Sequence, residues 1–405
     1  MPSARTPLVE APWDDARDAA YSAAVHALPV EEVPLTEAVG RVLATDLAAR
    51  TPLPPFDSSA MDGYAVAGPG PWRLVGEVLA GDATERPLEP GECVRTATGA
   101  ALPPGTHGVL PWEGATVQHG AGDRGADSTG EGAFDSTVEG TVAPGQFVRP
   151  AGEEAAEDEV LLVGGTVLGP AQIGLAASAG ADTLAVRRRP RATVLVFGDE
   201  LLDSGPSRVG RVRDSLGPQL PGWLHRLGAS TAQVLRGPDT LEAHVAAISA
   251  AVTDLIVTTG GTAAGPLDQL HRALEVLEAD VLVDSVAVRP GHPMVLARVR
   301  DRHVLGLPGN PQSAIVALLS LGVPLMAGLQ GRPRPQLVDC VLAEDVRAPE
   351  RETRLVLSVL DRGRARPVRH LGSGMLRGLA AAGGFAVVRP GGQSAGEHAR
   401  WLQLP

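Results

Sequence analysis

At 405 residues, with 44% hydrophobic but only 3% aromatic residues, the chain is too long for one ordinary core and reads as roughly two to four domains packed mainly with Leu, Val and Ala. A formal net charge of −12 argues against a nucleic-acid partner, whose binding rests on cations facing phosphates, and leaves room only for a local basic pocket that takes a small anion. Cys93 and Cys340 make neither a disulfide framework nor a zinc cluster, the start of the chain lacks a basic stretch followed by an apolar one, and no continuous apolar run reaches the length of a membrane span, so a cytoplasmic protein without membrane contact is expected.

In chain order, residues 12–26 predict an opening helix, with Asp14 or Asp15 at its positive end. The spacing of Leu35, Val39, Val42 and Leu43 predicts a second helix over 33–47, with Thr36 as its N-cap. These segments could brace a later domain or carry a dimer contact. The stretch 51–66, TPLPPFDSSAMDGYAV, is stiffened by prolines and leads to Asp62 and Gly63. Asp62 could bind a metal or orient a hydroxyl; an Asx-type turn closing a strand accounts for it equally well. From 74 to 109, short β-like runs alternate with Gly-Pro turns. A regular strand puts Thr96 and Thr98 on one face, within reach of an oxygen-rich ligand, and sends Arg95 the other way. β-branched residues ahead of a turn give the same pattern. Residues 118–140 are rich in Gly, Asp, Ser and Thr and read as a mobile surface insertion, with Phe134 as the sole aromatic. Residues 168–181 predict a short helix. The arginine run over 187–191 reads as a solvated hinge between domains or as a lure for phosphate.

From 190 to 329 strands and helices alternate, which predicts an α/β sandwich. Strands are expected over 193–197, 231–235 and 255–259, and helices over 216–227, 238–251 and 267–277. The five residues of 255–259 are apolar or β-branched and read as a buried strand; the chain then turns at Gly260 and Gly261. An open α/β sheet builds its sites at the carboxyl ends of its strands, and glycines there let backbone N–H groups approach an anion. Asp199, Glu200, Asp214, Asp239 and Asp268 all fall near element ends, where they could coordinate Mg²⁺ or cap helices. In VRPGHP, 288–293, Arg289 and His292 flank a Pro-Gly turn, as partners for phosphate or molybdate or as plain turn residues. In VLGLPGNPQS, 304–313, a strand ends in a rigid loop whose Gly309 and Asn310 suit an anion pocket, and Pro311 opens an apolar helix over 315–325. Residues 331–335 read as a linker into a small β-rich module with strands over 354–360 and 386–388 and a helix over 376–381.

The stretches PPFDSSAMDGYAV (54–66), RTATGAALPPG (95–105), VRPAGEE (148–154), VFGDEL (196–201), TTGGTAAGPLD (258–268), VRPGHP (288–293) and GLPGNPQS (306–313), together and in this order, resemble the molybdopterin molybdenumtransferases, the MoeA and gephyrin E-domain family. The resemblance runs over nearly the whole chain, as a divergent member. It implies a multidomain α/β protein: an N-terminal helical and linking domain from 10–50 and 141–189, a β-rich lobe over 51–140 carrying the insertion near 118–140, a molybdopterin-binding α/β domain over 190–329, and a β-rich C-terminal domain over 333–405. It further implies a homodimer, contact with other proteins of molybdenum-cofactor biosynthesis, and a Mg²⁺-assisted reaction in which molybdate enters adenylylated molybdopterin, AMP leaves and molybdenum cofactor forms.

By the same resemblance, Asp62 and Thr98 approach the ligand from the N-terminal lobe. Glu200, Asp239 and Asp268 form the acidic side and position Mg²⁺. Arg289 and His292 take the two basic positions of the family's KPGKP-like turn, and Gly260, Gly261, Gly265, Gly309, Asn310 and Ser313 cradle the pterin or phosphate. The chain departs from the family pattern in GGTAAG for a GGVSVG-like loop, in Arg289 and His292 for two lysines, in Glu154 for an aspartate, and in Gln-Leu-His after Asp268 for Tyr-Thr-Lys. Two other classes stay open: a non-catalytic or divergent molybdopterin-binding paralogue acting as a dimeric scaffold, and another Mg²⁺-dependent nucleotide-processing enzyme.

Overall fold

Runs of aliphatic and β-branched residues at Arg191–Phe197, Leu255–Thr259 and Arg302–Leu307 lie side by side in parallel, as strands buried on both faces do. The structure, a computed structural model, describes residues 6–24, 27–82, 84–119, 136–262 and 268–405. Among these residues the three runs form the centre of a seven-stranded sheet. Ser230–Gly237 closes one edge, parallel to Arg191–Phe197; Val295–Val299, Asp280–Val286 and Leu8–Ala11 complete the other. One face is covered by Trp13–Ala23, Leu216–Arg226 and the helical run from Pro311 to Leu329, the other by Leu241–Ala250 and Gln269–Val276.

This connectivity decides where a ligand can sit. From Arg191–Phe197 the chain moves outward to Ser230–Gly237, then crosses back to Leu255–Thr259 on the opposite side. The loops after the first and third of these strands therefore part company and leave a crevice at the carboxyl end of the sheet. Gly198–Glu200 and Gly260–Gly261 lie there.

The helical run Pro311–Leu329 has the length and apolarity of a membrane span, yet 89% of its apolar window is buried inside the fold, where it is a core helix. Trp13 of the opening helix packs into the same core at 1% exposure and donates its indole N–H to Ser320 Oγ at 2.8 Å.

Among the described residues of the N-terminal lobe, six strands run in the order Gly108–Pro111, Gly63–Val66, Glu92–Thr96, Trp72–Val78, Ser136–Glu139, Thr116–His119. The last two pair antiparallel, so the expected insertion over 118–140 is corrected at both ends, where 118–119 and 136–139 are strand and Val138 is fully buried; residues 120–135, with Phe134, lie outside the described residues. The C-terminal sheet joins Thr353–Asp361, Arg364–Pro367, Val338–Leu342, His398–Gln403 and Gly384–Val388. It also takes in Val288–Arg289 from the α/β region. The multidomain α/β architecture with a β-rich C-terminal module is thus the one expected.

Two further local expectations are corrected. Residues 33–47 do not form a helix: Val30–Pro34 is a strand paired with Thr183–Arg187, and only Leu35–Glu37 makes a short 3₁₀ turn. Val42 and Leu43 instead bridge to Val167 and Val186. Their helix-like spacing reflects distant partners, and Thr36 caps no α-helix. Thr96 and Thr98 also do not share a face. The strand ends at Thr96, which is buried, while Thr98 lies in the exposed turn beyond it.

Candidate functional site

The turn Arg289–Pro293 and the loop Pro308–Ser313 form one wall of a cleft of about 680 Å³. The opposite wall comes from the C-terminal module, with Arg347, Arg354 and Ser373. Gly291, at φ +100°, allows the turn to press on the helix opening at Pro311: a Cβ there would stand 3.0 Å from Val316 Cγ1 and 3.1 Å from the Ser313 carbonyl oxygen. Ser373 O accepts from Gln312 N at 2.9 Å, tying the module to the same helix start. The cleft is basic. Arg354 donates to the Arg347 carbonyl at 2.6 Å, and Arg289 donates to Glu352 at 2.9 Å. His292 Nε2 stands 3.7 Å from Glu10 Oε1. Asn310 and Ser313 sit at the positive end of the Pro311 helix, which favours an anion. The structure thus brings Arg289, His292, Asn310 and Ser313 together. Sequence reasoning does not single out Arg347, Arg354 and Ser373; the Gly372-Ser373-Gly374 turn is the one available signal.

Beside this cleft lie the glycine loops. Gly260 and Gly261 adopt φ of +84° and +64°, open to glycine without strain. Gly260 N donates to Leu307 O at 2.9 Å, and a Cβ on Gly309 would stand 3.9 Å from Gly260 Cα, so the two loops run side by side. Gly265 lies outside the described residues.

The acidic residues divide between two corners. Asp239 starts the segment before helix Leu241–Ala250. Burial pushes its carboxyl above the ordinary value, His244 pulls it back, and the fields of Asp199, Glu200 and Asp268 add to the rise. Those carboxylates therefore share one electrostatic neighbourhood. Asp239 Oδ1 is buried without a hydrogen-bond partner, and so is His244 Nε2, 3.9 Å away. Asp214, by contrast, is spent on structure: its Oδ1 accepts from Leu216 N and Gly217 N at 2.9 Å, and Oδ2 pairs with Arg236 at 2.5 Å.

At the second corner Asp268 caps helix Gln269–Val276 through Oδ1, which accepts from His271 N at 3.2 Å. Its Oδ2 meets His271 Nδ1. His271 Nε2 reaches Asp284 Oδ1 at 2.9 Å. An imidazole between two carboxylates is held as a cation; the bond to Asp268 leads in pushing its pKa up to about 9, against burial, with Asp284 adding to the rise.

A divalent cation fits these residues unevenly. The orphaned Asp239 oxygen can take one, and exposed Glu200 can lend a carboxylate, whereas both oxygens of Asp268 are already engaged. Among the described residues no three His, Cys, Asp or Glu side chains stand in a metal-holding group. Asp62 and Thr98 are joined to each other in the other lobe: Asp62 Oδ1 accepts from Thr98 N at 2.7 Å and from Thr98 Oγ1 at 2.8 Å, which holds the carboxyl below its usual range. They do not line the basic cleft of their own chain.

Family models match three stretches: the MoeA N-terminal region (domain I and II) over 11–180, a probable molybdopterin binding domain over 193–328, and the MoeA C-terminal region (domain IV) over 339–404. The chain is 30% identical over 393 residues to the molybdopterin molybdenumtransferase of Bacillus subtilis, spanning 92% of this chain and 89% of that protein. It is 32% identical over 349 residues to molybdopterin molybdenumtransferase 2 of Mycobacterium tuberculosis, spanning 81% of this chain and 83% of that protein. Its fold is similar to the crystal structure of a molybdopterin biosynthesis MoeA protein from Pyrococcus horikoshii, with a TM-score of 0.79, 25% identity, and coverage of 97% of this chain and 99% of that one.

Proposed function

The chain belongs to the MoeA family of molybdopterin molybdenumtransferases, and from that premise we propose that it inserts molybdate into adenylylated molybdopterin, releasing AMP and forming molybdenum cofactor. The observation that carries this reading is the convergence of Arg289, Arg347 and Arg354 with the helix start at Asn310–Ser313 around one cleft in a protein of net charge −12. Such a concentration of donors suits a small oxyanion and little else in this fold.

In this proposal the guanidinium groups hold molybdate through N–H forks matched to its oxygens. The Gly260–Gly261 and Gly309 loops bring backbone close to the pterin and phosphate. Mg²⁺, when bound, would polarise a phosphoryl oxygen and offset charge at phosphorus. In this proposal Asp239, with its unpartnered Oδ1, and exposed Glu200 would hold such a cation. Cys93 and Cys340 are outside the chemistry: both are buried, and burial pushes the Cys93 thiol up to about 12. The sulfur needed for molybdenum belongs to the substrate's dithiolene. Because Asp62 and Thr98 do not line their own chain's cleft, the proposal includes a homodimer in which this pair serves the second subunit.

The test supplies adenylylated molybdopterin, molybdate and Mg²⁺ and follows AMP and cofactor together. Both should appear only with molybdate. Tight ligand binding without AMP would replace the proposal with the scaffold reading, and nucleotide turnover without molybdopterin would replace it with the other enzyme class.

A further inference from the structure

A second cleft, of about 800 Å³, opens where helix Leu216–Arg226 meets the C-terminal module. It shares no lining residue with the basic cleft. Ser215, Gln219, Gly222 and Arg226 recur at intervals of four, three and four residues, so one face of the helix runs along the cleft. Its 11 residues make this wall about 16 Å long. Leu376, Leu379 and Leu404 come from the C-terminal module, and Trp223 adds its ring from the helix.

The polar groups here are spent unevenly. Trp223 Nε1 donates to Gln219 Oε1 at 3.1 Å, and Gln219 Nε2 donates to Ser215 O at 2.8 Å. The indole N–H is therefore satisfied within its own helix, and the ring is left as apolar surface. Arg226 ends the row. It is the only ionisable side chain lining the cleft. Its Nη1 donates to Pro405 O at 2.7 Å, which uses one of five N–H donors. An apolar trough with a single cation at its end matches an apolar body that ends in one carboxylate. The length matches as well: at about 1.2 Å per bond of an extended chain, about 16 Å takes about twelve carbons.

We propose that this cleft binds a medium-chain aliphatic monocarboxylic acid, its chain along Trp223 and the three leucines and its carboxylate on Arg226. The ligand is the free acid and not a bilayer, since a chain of net charge −12 is repelled by an anionic membrane. The proposal stands apart from the transferase reading, because neither this cleft nor this ligand enters that reaction.

The experiment is calorimetric titration of the full chain with dodecanoate below its micelle concentration, with octanoate and dodecylammonium as companions. Dodecanoate should bind saturably, one per chain, and octanoate about tenfold more weakly. Non-specific association with a chain of net charge −12 favours the cationic amphiphile, so tighter binding of dodecanoate is the mark of the site. Arg226→Ala should weaken dodecanoate by about threefold to fivefold and leave dodecylammonium no weaker. Gly222→Phe fills the trough from an exposed helix position where an added Cβ meets nothing within 4 Å, so the fold tolerates it. It should weaken dodecanoate by at least about tenfold. No saturable dodecanoate binding, equal or tighter binding of dodecylammonium, or unchanged binding in Gly222→Phe would overturn the proposal. So would adherence of the chain to phosphatidylglycerol vesicles through this cleft, lost in Gly222→Phe.

Discussion

Arg289 and Arg354 are register partners: Val288–Arg289 leaves the α/β domain and pairs in parallel with Thr353–Arg354 of the C-terminal sheet. Two guanidinium groups distant in sequence are thereby fixed on one cleft. Removing one should weaken the hold on an oxyanion by a charged hydrogen bond, about 1.5–3 kcal/mol, or roughly 10- to 100-fold. Arg354→Ala should therefore raise the molybdate concentration needed for half-maximal rate by that factor. Arg354→Lys should recover part of the loss, since a lysine keeps the charge but not the fork. Unchanged molybdate dependence in Arg354→Ala would remove this residue from the site.

Glu352 competes for Arg289. Its carboxylate accepts from Arg289 Nε at 2.9 Å, with the arginine 56% exposed. An exposed pair of this kind is worth little, about 0–1 kcal/mol. Glu352→Gln should free the guanidinium and tighten molybdate binding by no more than about fivefold. Weaker binding in this variant would show that Glu352 orients Arg289 for the ligand.

The His271 bridge should leave a signature in stability against pH. The folded pKa, about 9, stands above the unfolded value near 6.5. Its stabilisation is then fully present below about 6.5 and is lost as pH rises through about 9. The shift corresponds to at most on the order of 3 kcal/mol. Denaturant unfolding of the wild type and His271→Gln should differ most near pH 6 and converge above pH 9. A gap that stays constant with pH would mean that the imidazole is not charged in the fold.

Trp13 ties the opening helix to the central domain. Truncating this 1% exposed side chain, Trp13→Ala, should cost about 3–5 kcal/mol in urea unfolding. Ser320→Ala leaves the indole N–H, now 2.8 Å from Ser320 Oγ, without its partner and should cost about 1–3 kcal/mol. A loss below about half a kilocalorie per mole in both would show that the opening helix is not part of the cooperative core.

Much of the central fold was legible because strands buried on both faces, such as Leu255–Thr259, are continuous apolar runs. Leu8–Ala11 was not, since it is short and largely exposed and becomes a strand only by pairing with Asp280–Val286. The same non-local pairing misled the expectation over 33–47, where Val42 and Leu43 answer to Val167 and Val186. At the site, Arg289, His292, Asn310 and Ser313 stand in compact turn motifs and could be read directly. Arg347 and Arg354 could not, because only the strand addition at Arg289 brings them there. His271 shows in the sequence only as the end of the Gln-Leu-His departure after Asp268; its role as a bridge comes from Asp284, which no sequence pattern pairs with it.

The most direct measurement follows AMP released from adenylylated molybdopterin at fixed Mg²⁺ while molybdate is varied, for the wild type and Arg354→Ala. Release that saturates with molybdate in the wild type, appears together with molybdenum cofactor, and needs far more molybdate in Arg354→Ala is the predicted result. AMP release indifferent to molybdate, or none at any concentration, would contradict the account.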